Sequence, residues 1–232
     1  MTFSSINFTV ETVFKIDDFL VTLNSLSVCI VHLVFAYPCN WMLNRHGMRI
    51  SFFLSGSLVV TGVWLRTLLS EGNMTWCLIG SLFSAIGGIF ITNTPNKVAF
   101  NWFRSDMVPM ITVAGVFMNM FAGTIGASVP GFFLSPKSSQ EEIIDLLRII
   151  AVIVTIPIIL LFLFFRDKPD VPPSQAAHVA FNKERENYLD LMKKLFSNPD
   201  YVKLALAMGM TYGIGMASST ILDQCFVGLG YL

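Results

Sequence analysis

Four uncharged polar side chains, Asn24, His32, Asn119 and Gln224, stand inside long apolar stretches, and Asp223 is the only acid that could join them there. An amide or imidazole so placed can bond a neighbouring helix or a polar solute, because leaving it unpaired in hydrocarbon is costly. Neither role breaks a bond. The sequence has no H-E-x-x-H, no G-x-S-x-G, no pair of intramembrane aspartates and no glycine loop for a nucleotide, so an enzyme would lack its working residues. His32, His46 and His178 have no metal-ligand spacing, and Cys29, Cys39, Cys77 and Cys225 contain no C-x-x-C pair. The cysteines read as small buried hydrophobes, and neither a metal nor a cofactor is expected. His32 reads as a packing residue, with a proton relay as the alternative. Asp223 lies about 20 residues beyond Lys203, which carries it to the far surface of a bilayer and into water.

The elements that position these residues follow from composition. Of 232 residues, 54% are hydrophobic and 13% charged, against roughly 25% charged in a soluble domain. Fifteen Lys and Arg balance fifteen Asp and Glu, which leaves no basic face for nucleic acid and opposes disorder. A bilayer core takes about 20 apolar residues, and the sequence offers such windows at about 19–43, 50–69, 74–96, 107–131 and 147–165, with a sixth from 204. The expected protein is therefore all-α and multi-pass, with about six transmembrane helices.

Alternate loops differ in charge. The loops after the first, third and fifth windows carry Arg45, Arg49, Lys97, Arg104, Arg166, Lys168, Lys183, Arg185, Lys193, Lys194 and Lys203, against Lys15, Arg66, Lys137 and Arg148 on the other side. The excess marks the cytoplasmic face. Residues 1–18 are then expected outside, together with the sequons at Asn7 and Asn73. Residues 1–165 form an N-terminal bundle, 166–203 a cytoplasmic linker, and 204–232 the first helix of a second half. The linker begins with Pro169, Pro172 and Pro173 in extended chain, then changes period. Tyr188, Leu191, Met192, Leu195 and Phe196 recur at helical spacing, with Asn182 as an N-cap and Pro199 as a stop. This predicts a short amphipathic helix at the inner membrane surface, or one packed on the bundle. Gly80, Ser84 and Gly88, and likewise Ala122, Gly126 and Pro130, are spaced by four and are expected to form smooth contact stripes.

Three blocks carry a family resemblance. The loop Trp41-Met42-Leu43-Asn44-Arg45-His46-Gly47-Met48-Arg49 is similar to the turn between the second and third helices of major facilitator superfamily transporters. Pro95-Asn96-Lys97-Val98-Ala99 with Trp102-Phe103 and Asp106 resembles the P-S-R-x-A…W-F…E stretch of the feline leukaemia virus subgroup C receptor-related family. Lys168-Pro169-Asp170-Val171-Pro172-Pro173-Ser174-Gln175-Ala176 resembles that family's K-P-x-x-P-P-S-Q-A run after helix six.

The resemblance implies a partial major facilitator fold, covering the end of helix one, helices two to six and helix seven of a twelve-helix carrier whose other helices would be its partners. It implies alternating-access transport of a small organic solute such as haem, choline or ethanolamine, in the plasma membrane or an organelle membrane. A receptor or scaffold derived from a transporter is the alternative. It places Asn44, Arg45, Gly47 and Arg49 at a cytoplasmic gate, and Asn119, Met120, Met216 and Gln224 at the substrate pocket; Asn24, an amide inside a span, joins the pocket candidates on its own position, with a bond between helices as the favoured alternative. Asn44 stands where the superfamily has an acid, which removes a carboxylate from the gate. Met120 stands where the family has glutamine, Met216 near a family tyrosine, and Asp223-Gln224 at its N-Q pair. The exchange of polar partners for soft methionine walls predicts a bulkier, more apolar substrate than choline.

Overall fold

The computed structural model describes residues 18–69, 74–133, 139–166, 169 and 188–228, and the regular elements among them are helices. We number them α1 (Asp18–His46), α2 (Met48–Arg66), α3 (Thr75–Thr92), α4 (Thr94–Trp102), α5 (Val108–Phe133), α6 (Gln140–Phe164), α7 (Tyr188–Phe196) and α8 (Pro199–Gly228). A helix covers each of the six apolar windows. Among the described residues, α2, α3 continued through α4, α5 and α6 are each long and apolar enough to cross a membrane. The remaining long helices, α1 and α8, run 29 and 30 residues, beyond the roughly 20 that a bilayer core requires. The sequons at Asn7 and Asn73, the proposed cap Asn182 and most of the proline-rich run lie outside the described residues.

The boundaries move where local chemistry is stronger than hydropathy. The window expected at 147–165 opens at Gln140, because Ser139 and Glu142 form a reciprocal capping box, with backbone-to-side-chain distances of 3.3 and 3.4 Å. The window expected to close near 96 breaks at Asn93 and resumes as α4. Pro95 in the first turn of α4 has no N–H to continue the α3 ladder. Pro199 does not simply stop the amphipathic helix. That helix ends at Phe196, and Pro199 opens α8 as its first residue, with Asn198 Oδ1 accepting the N–H of Asp200 at 3.0 Å.

The chain forms two compact units, Met1–Lys183 with α1 to α6 and Glu184–Leu232 with α7 and α8. In the first, α3 packs chiefly on α2 and on α1, α6 packs on α2, and α5 packs mainly on α4. The α2–α3 seam is a backbone contact. A Cβ on Gly80 would stand 2.5 Å from the Gly62 carbonyl oxygen, and one on Gly87 would stand 2.8 Å from the Ser55 carbonyl oxygen. Ser55 Oγ donates across the same seam to the Gly87 carbonyl at 2.8 Å. On its other side, α2 receives α6. Phe53 stacks on Phe162 and Phe52 meets Phe165 edge-on, both at 4.6 Å, and Gly56 leaves room for Phe162 and Ile158.

Three expectations of contact and burial differ from the structure. The contact stripe of α3 runs through Gly80, Ser84 and Gly87, and a Cβ on Gly88 would meet nothing within 4 Å. At 3.6 residues per turn, position i+7 returns to within about 20° of the starting direction while i+8 lies about 80° away. Among the described residues the row Ala122, Gly126, Pro130 meets no partner helix as a seam: Ala122 is exposed, Gly126 meets nothing within 4 Å, and only Pro130 is buried. Cys39 and Cys77 are buried as expected, but Cys29 is exposed.

Candidate functional site

The turn between α1 and α2 is a single residue. Gly47 has φ 87° and ψ 177°, a region open almost only to glycine, and its carbonyl accepts the hydroxyl of buried Ser51 at 2.8 Å. The next residue, Met48, is wholly buried with Leu43 and Phe52, and Val98, Leu161 and Phe165 pack around them. The turn is thereby fixed by packing on both sides. Its arginines fold onto aromatic faces of their own helices, Arg45 at 5.3 Å over Trp41 and Arg49 at 6.0 Å over Phe53.

Lys97 closes this region. Its ammonium, reaching from α4, donates to Asn44 Oδ1 at 2.9 Å and to the main-chain carbonyl of Leu43. The charge thus sits at the C-terminal, negative end of α1, where a cation is favoured. Asn44 therefore still serves as an acceptor at the position where an acid was expected, with an amide oxygen instead of a carboxylate. Sequence reasoning did not single out Lys97 as a gate residue. Its signal was present all the same, because it occupies the arginine position of the second family-like block.

Immediately beside this latch lies a cavity of about 360 Å³. Phe52, Ser55 and Gly56 of α2, Ile91 of α3, Thr94, Pro95 and Val98 of α4, Ile111 and Gly115 of α5, and Ile158 and Leu161 of α6 line it. Its two hydroxyls are engaged with helix carbonyls, Ser55 with Gly87 and Thr94 with Phe90. The cavity offers shape and dispersion and no free hydrogen-bond donor from those groups. Gly115 permits the approach of α5, since a Cβ there would lie 2.8 Å from the Pro95 ring.

Of the expected pocket residues in the first unit, Asn24, Asn119 and Met120 do not line this cavity. Asn24 is buried in α1 at 3% exposure with Oδ1 lacking a partner. Asn119 and Met120 are exposed on α5, and Met120 points about 100° round the helix from Asn119. Asn119 continues the row Ile111, Gly115 one turn beyond the cavity, but neither it nor Asn24 lines that cavity. Met216 and Gln224 belong to α8, with side chains outside the described part of the structure. His32 Nδ1 donates to the Val28 carbonyl at 3.0 Å within its own helix, which fits the packing role. Among the described residues, no three His, Cys, Asp or Glu group as metal ligands.

The one-residue glycine turn, the Lys97 contacts and the adjoining cavity all lie within a bundle of long apolar helices. The family model of the Major Facilitator Superfamily matches residues 1–230, and the chain belongs to that family. Among curated relatives, it is 26% identical over 221 residues to the choline/ethanolamine transporter flvcr2a of Danio rerio, covering 92% of this chain and 47% of the relative. It is 25% identical over 232 residues to the choline/ethanolamine transporter FLVCR2 of Homo sapiens, covering 97% and 44%. An uncharacterized major facilitator-type transporter of Caenorhabditis elegans is 27% identical over 217 residues, covering 91% and 37%. The chain thus spans less than half the length of these relatives.

Proposed function

We propose that this chain forms part of a secondary carrier or facilitator that moves a small organic solute across a membrane by alternating access. The observation that carries the reading is the family match along residues 1–230. Choline and ethanolamine, named for the relatives, are the first solutes to test, with haem as a larger, more apolar one. In this reading α1 to α6 correspond to helices two to six and α8 to helix seven. Asn24, Asn119, Met120, Met216 and Gln224 face the solute path once further helices complete it, since transporter sites of this kind lie between repeats at the midplane. The orphaned acceptor of Asn24 supports a polar partner there.

The turn of Asn44, Arg45, Gly47 and Arg49, latched by Lys97, acts as the gate on the cytoplasmic side, and residues 166–203 lie on that side. The basic asymmetry between alternate loops supports this orientation. The same polar-to-methionine exchanges favour a substrate more apolar than choline.

The test is uptake of labelled choline, ethanolamine and haem by cells expressing the gene that encodes this chain. Saturable uptake of at least one supports the carrier. Met120→Gln combined with Met216→Tyr should raise amine uptake and leave apolar uptake flat or lower. If the unaltered protein moves choline best, the argument from the methionines fails. A cysteine placed at Ser174 that is labelled from outside intact cells overturns the orientation.

A further inference from the structure

In the second unit, the nine-residue helix α7 is joined to α8 by Ser197 and Asn198 alone. Asn198 fixes the joint by capping α8, and Phe196 meets Tyr201 across it with ring centroids 6.3 Å apart. The apolar residues of α7 are not covered by this joint. Leu191, Leu195 and Phe196 remain 39%, 41% and 61% exposed. At about 100° per residue, Leu191, Met192, Leu195 and Phe196 span an arc of roughly 140°. Lys193 and Lys194 flank that arc on either side and Asp190 points away from it. If α8 crosses the membrane, a nine-residue helix tethered to its end by two residues stays within about 20 Å of the interface. An apolar arc bounded by two cations matches acyl chains bounded by phosphates.

We propose that α7 docks flat on the bilayer leaflet at the N-terminal end of α8 and selects anionic phospholipid there, its leucines and Phe196 in the acyl boundary and Lys193 and Lys194 on the headgroup phosphates. Each lysine near a charged surface shifts such binding about fivefold, so composition of the leaflet sets how firmly the start of α8 is held. The inference rests on the carrier reading in one respect, that α8 lies in the membrane.

The test uses the full chain with its native cysteines replaced and a nitroxide attached at Leu195→Cys, Asp190→Cys or Leu206→Cys. Each is reconstituted in vesicles of phosphatidylcholine or of phosphatidylcholine with phosphatidylserine. Collisions with oxygen report hydrocarbon and collisions with a nickel chelate report water. The expected result is a lipid signature at 195, strengthened by phosphatidylserine, with a water signature at 190. Lys193→Gln and Lys194→Gln should each lower the docked-to-undocked ratio about fivefold in anionic vesicles, while Lys193→Arg and Lys194→Arg keep it.

Nickel access at 195, or exclusion of both reagents as in a protein-packed face, overturns the proposal. So does a lipid signature indifferent to phosphatidylserine and to both glutamine variants. Water access at 206, in the middle of an exposed apolar stretch of α8, defeats the membrane reading itself and is distinguishable from all of these. Should the cysteine-free chain fail to fold, the salt dependence of trypsin cleavage after Lys193 and Lys194 in the native chain answers the same question. Protection by phosphatidylserine that fades with salt supports docking, and equal cleavage in both vesicles opposes it.

Discussion

Helices α2 and α5 are almost equally apolar, with mean hydropathies of 1.5 and 1.6 over their most apolar windows, yet they differ in what they bury. Along α2, Met48, Ser51, Phe52, Ser55, Gly56, Gly62 and Val63 are buried; along the 26 residues of α5 only Pro130 is. Both contain small residues, so composition does not explain the difference. Gly62 faces Gly80 and Gly56 faces Phe162; on α5 Gly115 meets Pro95, whereas Gly126 and Gly131 face nothing within 4 Å. Hydropathy puts both helices in a bilayer. A seam forms only where the partner supplies a recess at the same phase.

The largest test of this contrast is Gly80→Val. The new side chain would be driven against the Gly62 carbonyl and the Arg66 main chain of α2, which cannot yield as the neighbouring Arg66 side chain can, so the expected loss is about 3 kcal/mol. Thermal unfolding in detergent would read it, and a change below about 1 kcal/mol would mean that the α2–α3 seam is not a backbone contact. Next is Gly47→Ala, which forces a Cβ into a glycine-only conformation and should cost about 1–3 kcal/mol by the same measurement. An unaltered midpoint would show that the turn can adopt another geometry.

Lys97→Met should cost about 1 kcal/mol, below the roughly 1.5–3 of a buried charge-assisted bond because the contact with Asn44 is solvent-exposed. Asn44→Asp should gain a fraction of that, with the gain fading in high salt. A gain that survives high salt would argue against an ionic latch. The smallest effect is expected on α5. Gly126→Ala should leave stability within about 0.5 kcal/mol or raise it, since alanine favours the helix and meets no neighbour. A large loss there would remove the contrast between the two helices.

Hydropathy placed every long helix, because the distance between charges is a direct measure of what a bilayer tolerates. It misplaced the ends, where Ser139, Pro95 and Asn198 act through capping and missing N–H groups that no average over a window registers. Small-residue stripes were legible as a type but not in phase. Spacing by four suggested Gly88, and the drift of a 3.6-residue turn selects Gly87. At the candidate site, Gly47 was readable because a chain reversal needs a residue that tolerates positive φ. Lys97 was harder to see, since its partner stands 53 positions away and nothing local marks the pair. Asn24 and Asn119 were visible as polar residues among apolar ones. Their separation, one buried in α1 and one exposed on α5, depends on tertiary packing that a single sequence does not encode in local form.

The single-residue turn at Gly47 also bears on how the protein is built into a membrane. In the carrier reading, α1 and α2 have no loop between them that could let one helix insert without the other, so they would enter the bilayer together. Arg45 and Arg49 lie immediately on either side of the turn, and carrying arginine through the hydrocarbon costs about 3 kcal/mol each even on the most permissive insertion scale. Once inserted, the hairpin is pinned by its own tip. Helices added later therefore assemble against a pair whose direction is already decided.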